Sequence, residues 1–189
     1  MNPIRSKKSE ISADSRKANR TSNGGKECIL ILDNIRSVAN VGSIFRTADC
    51  LGVSKIILVD TTPLPTDRFG RKRKDFAKVS LGAEDLVRWE HEKEIELTID
   101  KLKEKGFEIV ALEQIANAED IKDFEPTGKF ALIVGNEVSG VSKKALNMAD
   151  RVVEISMMGT KESLNVSVAT GVALFKLLYN DVNNGDQNH

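Results

Sequence analysis

Cysteine is scarce: Cys28 and Cys50 are the only two in 189 residues. Two thiols at that spacing make neither a metal-ligand pair nor a disulfide framework. Both lie in apolar sequence, so buried free thiols in a reducing compartment are expected. Histidine is as scarce, with His91 in the charged stretch VRWEHEKE and His189 at the C-terminus. Neither has a Cys or carboxylate partner at a useful spacing, and no metal is expected. Charge of one sign is not in excess: 28 Lys and Arg balance 28 Asp and Glu. That excludes a global basic field, so any nucleic-acid surface must come from local clustering. No apolar run approaches the roughly 18 residues of a membrane span. The basic N-terminus is followed by no apolar segment of the secretory type. A cytoplasmic protein without membrane contact is expected. No G-x-G-x-x-G follows a strand-like segment, which counts against a dinucleotide site. Gly135 and Gly140 are spaced as in a P-loop, but Val141 stands where the phosphate-binding Lys belongs, which excludes a nucleotide triphosphatase.

What is there reads as one globular domain, 40% hydrophobic and 30% charged. Residues 1–27 hold seven Lys and Arg against three Asp and Glu and few large apolar residues. They read as a mobile basic tail, either a phosphate-binding arm or a solubilising extension. Residues 181–189 read as a second loose end, leaving 28–180 as the domain. Inside it, CILILD (28–33), KIILVD (55–60), FEIVAL (107–112), FALIVG (130–135) and RVVEIS (151–156) are strand-like. Several are apolar at consecutive positions, as expected of strands buried on both faces of a parallel sheet. Helical patterns fall at about 41–51, 92–105, 142–148 and 166–179. The second aligns Ile95, Ile99 and Leu102 and ends at Gly106. Alternating strand and helix predicts an α/β fold with a mainly parallel sheet. The stretches DTTPLPTDRFGRKRKDFAKVS and ANAEDIKDFEPTGK read as long irregular connections.

Sites in open α/β sheets lie beyond the carboxyl ends of the strands. Three such ends carry distinctive sequence. After the first strand, Asn40-Val41-Gly42 opens a helix that carries Arg46. Asn40 can cap it, Gly42 permits a close backbone approach, and the free N–H groups with Arg46 suit an anion. A capped helix with one solvated Arg fits the same spacing. The second end is Gly135-Asn136-Glu137 followed by Gly140, either a polar-ligand loop or a tight turn before a helix capped by Ser139 or Ser142. The third runs from Ile155 through Met157, Met158 and Gly159 to Ser163-Leu164-Asn165, at the mouth of an apolar helix. Ser and Asn suit helix capping there. A fourth feature is the basic run Arg71, Lys72, Arg73 and Lys74, flanked by Phe69 and Phe76. It suits phosphates and unstacked bases, or a solvated surface loop.

In this order, Asn40/Gly42/Arg46, Gly135/Glu137/Gly140 and Ile155/Met157/Gly159 with Ser163-Leu164-Asn165 resemble the motifs of the SpoU (TrmH-type) RNA 2′-O-ribose methyltransferases of the SPOUT class. The resemblance spans about residues 28–180. It implies a C-terminal deep trefoil knot, S-adenosylmethionine as cofactor, a homodimer with the active site near its interface, and tRNA or rRNA as substrate. It implies that Gly135, Ile155, Met157, Gly159 and Leu164 hold the cofactor. Arg46 would be the catalytic residue, supported by Asn40, Glu137, Ser163 and Asn165. A guanidinium stays protonated at neutral pH, so a role on a phosphate and on developing alkoxide charge suits Arg46 better than that of a base. RNA contacts would rest on Arg71, Lys72, Arg73 and Lys74. One departure stands out: the family often has Pro after the Ile, and here it is Ser156, which removes a φ restraint. A non-catalytic RNA-binding protein on the same scaffold and a SPOUT enzyme acting on a base nitrogen are the competing readings.

Overall fold

The computed structural model describes residues 25–179. The 181–189 tail and all but the last three residues of the 1–27 tail lie outside the described residues. Seven strands form one sheet: β1 (Glu27–Asp33), β2 (Lys55–Val59), β3 (Trp89–Glu92), β4 (Glu108–Leu112), β5 (Glu119–Asp120), β6 (Lys129–Val134) and β7 (Arg151–Glu154). Their order is β3-β2-β1-β6-β4-β7-β5, and every neighbouring pair is parallel. The helices are α1 (Val38–Leu51), α2 (Lys74–Ser80), α3 (Ile95–Glu104), α4 (Lys143–Met148) and α5 (Val166–Tyr179).

The consecutive apolar residues of β1 are explained by two cores. Leu30 and Leu32 point to the side covered by α1 and α5, where Ile44, Phe45, Leu174 and Leu177 lie. Ile29 and Ile31 point to the other side, against Ile95, Ile99 and Leu102 of α3 and Ala145 of α4. A strand with both faces covered has no position for a solvated side chain. The stripe expected on α3 is therefore its buried face, and Gly106 follows it at φ +78. There the Phe107 N–H donates to the Leu102 carbonyl at 3.0 Å, closing the helix end.

Several expectations need correction. The charged stretch WEHE is strand β3, which sits at the sheet edge and is only partly buried, so it lacks an apolar signature. Helix α2 lies inside a segment expected to be irregular; its basic start hides a short helix that buries Phe76 and Ser80. Phe76 is thereby a core residue, its ring edge-on to Phe45 at 5.2 Å, and is not available to a base. The other irregular segment contains the two-residue β5. Cys50 is exposed on α1, while Cys28 is buried as expected and burial pushes its thiol up. Helix α5 is not buried all round. Thr170, Ala173, Leu174, Leu177 and Leu178 face the core, but Val168, Val172 and Phe175 are exposed.

Candidate active site

The carboxyl ends of β4, β6 and β7 open on a cavity of about 480 Å³. Leu112, Val134, Ile155, Leu164, Val166 and Ala169 give it apolar walls, and Glu113, Glu137 and Glu154 are among its other lining residues. It lies one strand from the β1–β6 boundary, where the connections part to opposite sides of the sheet.

The loop after β6 forms one wall, and its glycines have separate reasons. A Cβ on Gly135 would stand 2.2 Å from the Gly140 carbonyl carbon and the Val141 nitrogen. Gly140 has φ +70, and a Cβ there would meet the Glu113 carboxylate at 2.0 Å. The turn is closed by paired backbone bonds between Asn136 and Gly140, at 3.0 and 2.9 Å. The Asn136 side chain accepts the Val138 and Ser139 N–H groups and donates to the Asn34 carbonyl at 2.8 Å. Two strand-end carboxylates then hold the far side of the loop. Glu113 accepts the Val141 N–H at 2.6 Å, and buried Asp33 accepts the Ser142 N–H at 2.8 Å. Neither was singled out from sequence; a polar residue closing an apolar strand is the signal that finds them.

This loop presents Glu137 to the start of α1. Its carboxylate accepts the N–H groups of Arg36 and Ser37, each at 3.0 Å, and the Asn40 side-chain amide at 2.8 Å. The helix start suits an anion, and the anion is the protein's own. Partial burial pushes the Glu137 carboxyl up, but these hydrogen bonds together outweigh it and hold the group below the usual carboxylate range. Asn40 is not the cap. Ser37 caps α1, and its Oγ accepts the Asn40 N–H at 3.3 Å. Asn40 instead joins two motifs, since its Oδ1 accepts the Asn165 side-chain amide at 3.1 Å. Gly42 does permit a close approach, but by α2: a Cβ there would be 3.0 Å from Val79 Cβ.

The third motif supplies the other wall. Asn165 caps α5, its Oδ1 accepting the Ser167 N–H at 2.9 Å. Ile155, Met157, Ser163 and Leu164 line the cavity with it. Gly159 is not among the lining residues, and neither is Arg46. Arg46 is exposed on α1 and makes no hydrogen bond or ion pair among the described residues. Ser156, in place of the family's frequent Pro, donates to Asp120 Oδ2 at 2.6 Å. That bond, the Lys122 N–H and the Lys122 ammonium hold the Asp120 carboxyl down at about 2. The lost φ restraint is replaced by a tether to β5.

Three of the four residues of the basic run are ion-paired with aspartates outside it. Arg71 pairs with Asp67 and Arg73 with Asp75, while Lys72 pairs with Asp85. Among the described residues no group of three or more His, Cys, Asp or Glu is placed to hold a metal, and no helix is long and apolar enough to cross a membrane.

The cavity falls in the range of small-molecule sites, about 300–1,000 Å³. Its mixed lining of apolar side chains and polar residues fits a ligand with both apolar and polar parts. An AdoMet-bound rRNA methyltransferase from Sinorhizobium meliloti superposes with a TM-score of 0.71 at 28% identity, covering 79% of this chain and 55% of that one. The chain belongs to the SpoU rRNA Methylase family, whose model matches residues 27–175. It is 31% identical to the tRNA (guanosine(18)-2′-O)-methyltransferase of Aquifex aeolicus over 154 residues, 80% of this chain and 68% of that protein. TrmH-family relatives from Staphylococcus aureus are 33% identical over 153 residues, and this chain spans 59% of their length.

Proposed function

We propose that this protein transfers a methyl group from S-adenosylmethionine to a ribose 2′-hydroxyl of structured RNA, with tRNA favoured over rRNA. The observation that carries the reading is the hydrogen-bond chain Glu137–Asn40–Asn165, which ties all three family motifs together at the cavity. The cofactor supplies an electrophilic methyl group. Backbone around Gly135, Ile155 and Leu164, with Met157, would hold it, and Glu113 would keep the Gly135–Val141 wall in place. Glu137 fixes the start of α1 and Asn165 fixes the start of α5, so both helices are set before substrate arrives. Ser163, exposed at the rim and without a hydrogen bond among the described residues, is free to meet the substrate. Arg46 would grip the phosphate beside the target ribose and stabilise charge on the 2′-oxygen as its proton leaves to water.

Two features favour a homodimer. Arg46 stands outside the cavity of its own subunit, and α5, which packs on α1, exposes the apolar row Val168, Val172, Phe175 and Tyr179. A second copy on that row would bury it and complete the site across the interface. The trefoil knot implied by the motifs is part of the same reading, with the Ile155–Asn165 loop as the threaded segment. Arg71, Lys72, Arg73 and Lys74 would lie along the RNA backbone, with Lys72 and Arg73 exchanging internal carboxylates for phosphates.

The test incubates the full chain with labelled S-adenosylmethionine and bulk tRNA or rRNA, then digests the RNA to nucleosides. A 2′-O-methyl nucleoside is expected. A base-methylated nucleoside overturns the ribose reading. Absence of cofactor binding by calorimetry overturns the enzyme reading in favour of an RNA-binding protein.

A further inference from the structure

The loop between β2 and α2 carries an aromatic tip that the cavity does not use. Phe69 is 66% exposed. The loop beneath it is fixed by many bonds. Asp67 accepts the N–H groups of Phe69 at 2.8 Å and Arg71 at 3.0 Å, and the Arg71 Nε at 2.8 Å. Thr66 and Lys72 form an antiparallel bridge, and the Arg73 N–H donates to the Pro65 carbonyl at 3.0 Å. Gly70, at φ +75, makes the turn. An apolar ring held out in water on an ordered turn loses little further freedom on binding.

Its surroundings say what it fits. The guanidinium carbons of Arg68 and Arg71 lie over the ring, 4.7 and 5.1 Å from its centroid. Arg71 is clamped by Asp67. Arg68 has no carboxylate partner among the described residues, so it can leave the ring. A partner with flat π-faces and anionic links matches this pair of features. The tip also stands at the carboxyl edge shared with the site. Thr62 Oγ1 donates to the Leu32 carbonyl at 3.0 Å and Thr61 Oγ1 to Asn34 Oδ1 at 2.9 Å, tying the loop to the end of β1. The helix that follows it packs on α1 through Gly42 and Val79, the helix that bears Arg46.

We infer that Phe69 is a stacking platform for an unpaired base of the substrate RNA. The inference rests on the methyltransferase reading above. The base takes the face of the ring covered by Arg68, whose guanidinium moves to a neighbouring phosphate. Arg71 stays on its carboxylate and keeps the ring aligned.

The probe is a short single-stranded RNA with a central 2-aminopurine, compared with its duplex, bound to the full chain and to Phe69→Ala and Phe69→Trp. The wild-type chain is expected to change the 2-aminopurine emission. Phe69→Ala should abolish the change and weaken single-strand binding by about tenfold, with duplex binding unaltered and Phe69→Trp restoring both. Equal single-strand affinity and an intact emission change in Phe69→Ala overturn the platform. So does an unchanged KM for RNA in a chain that methylates it, which leaves the methyltransferase reading standing. Failure of the wild-type chain to bind any RNA overturns both. Conversion of a dimer to a monomer by Phe69→Ala makes the ring a contact between copies and overturns the platform.

Discussion

The Asn40 side-chain amide donates to Glu137 Oε1 at 2.8 Å, across 97 residues of chain. Three N–H donors converge on that one carboxylate. Glu137→Gln removes its charge and turns one acceptor into a donor facing donors. Stability should fall by about 1 kcal/mol, at the low end for a charged hydrogen bond because the group is largely exposed. The folded carboxyl lies below its ordinary value of 4.5. Its contribution is therefore complete above that value and lost as pH falls through the lower, folded one. Urea unfolding of both proteins should converge on acidification and diverge at neutral pH.

On the proposed reading, Arg46→Ala should sharply lower methyl transfer while leaving cofactor affinity little changed, because Arg46 does not line the cavity. A loss of about 10²–10³ in kcat is the scale for one electrostatic group. Arg46→Lys keeps the charge without the planar fork and should recover only part of the rate. Single-turnover kinetics and calorimetry separate the two effects.

Ser156→Ala unties the cavity loop from Asp120. Cofactor affinity should drop several-fold with the fold intact. The Asp120 carboxyl, held at about 2 in the native chain, should titrate closer to its ordinary range in the variant. Depression of that group means the tether is held at neutral pH and released only as pH falls from about 3.8 towards about 2. Carboxyl-carbon NMR titration measures the shift directly.

Phe175→Glu places a charge in the exposed row of α5, where the ring stacks on Tyr179 at 5.6 Å. The monomer core does not use this face, so the thermal midpoint of the folded monomer should hold. On the proposed reading, the dimer should then dissociate, read by light scattering, and methyl transfer should fall with it.

Most of the sheet was legible because strands covered on both sides must be apolar at every position, as Leu30, Ile31 and Leu32 are. β3 was not, since an edge strand tolerates Glu90 and His91. The motif residues were legible only as neighbours along the chain. Their partnerships were not: capping chemistry pointed to Asn40, but the helix begins three residues earlier at Ser37, which turns Asn40 inward to Glu137 and Asn165. Glu113 and Asp33 showed only as polar residues closing apolar strands; their task, to receive N–H groups of a loop far along the chain, did not show. The apolar half of α5 could not be divided into core and surface from hydropathy, since Leu174 and Phe175 look alike in sequence and differ only in what covers them.

The Asn165–Asn40 bond spans 125 residues. Loop-closure entropy makes such long-range contacts slow to form, and an all-parallel sheet has no local hairpins to start from. A chain still emerging from the ribosome, or arrested part-way through refolding, holds α1 and its arginine well before it holds the capping asparagine of α5. The cavity wall and the link between motifs arrive together, at the end. On the proposed reading, cofactor binding would serve as a clock for this late step of folding.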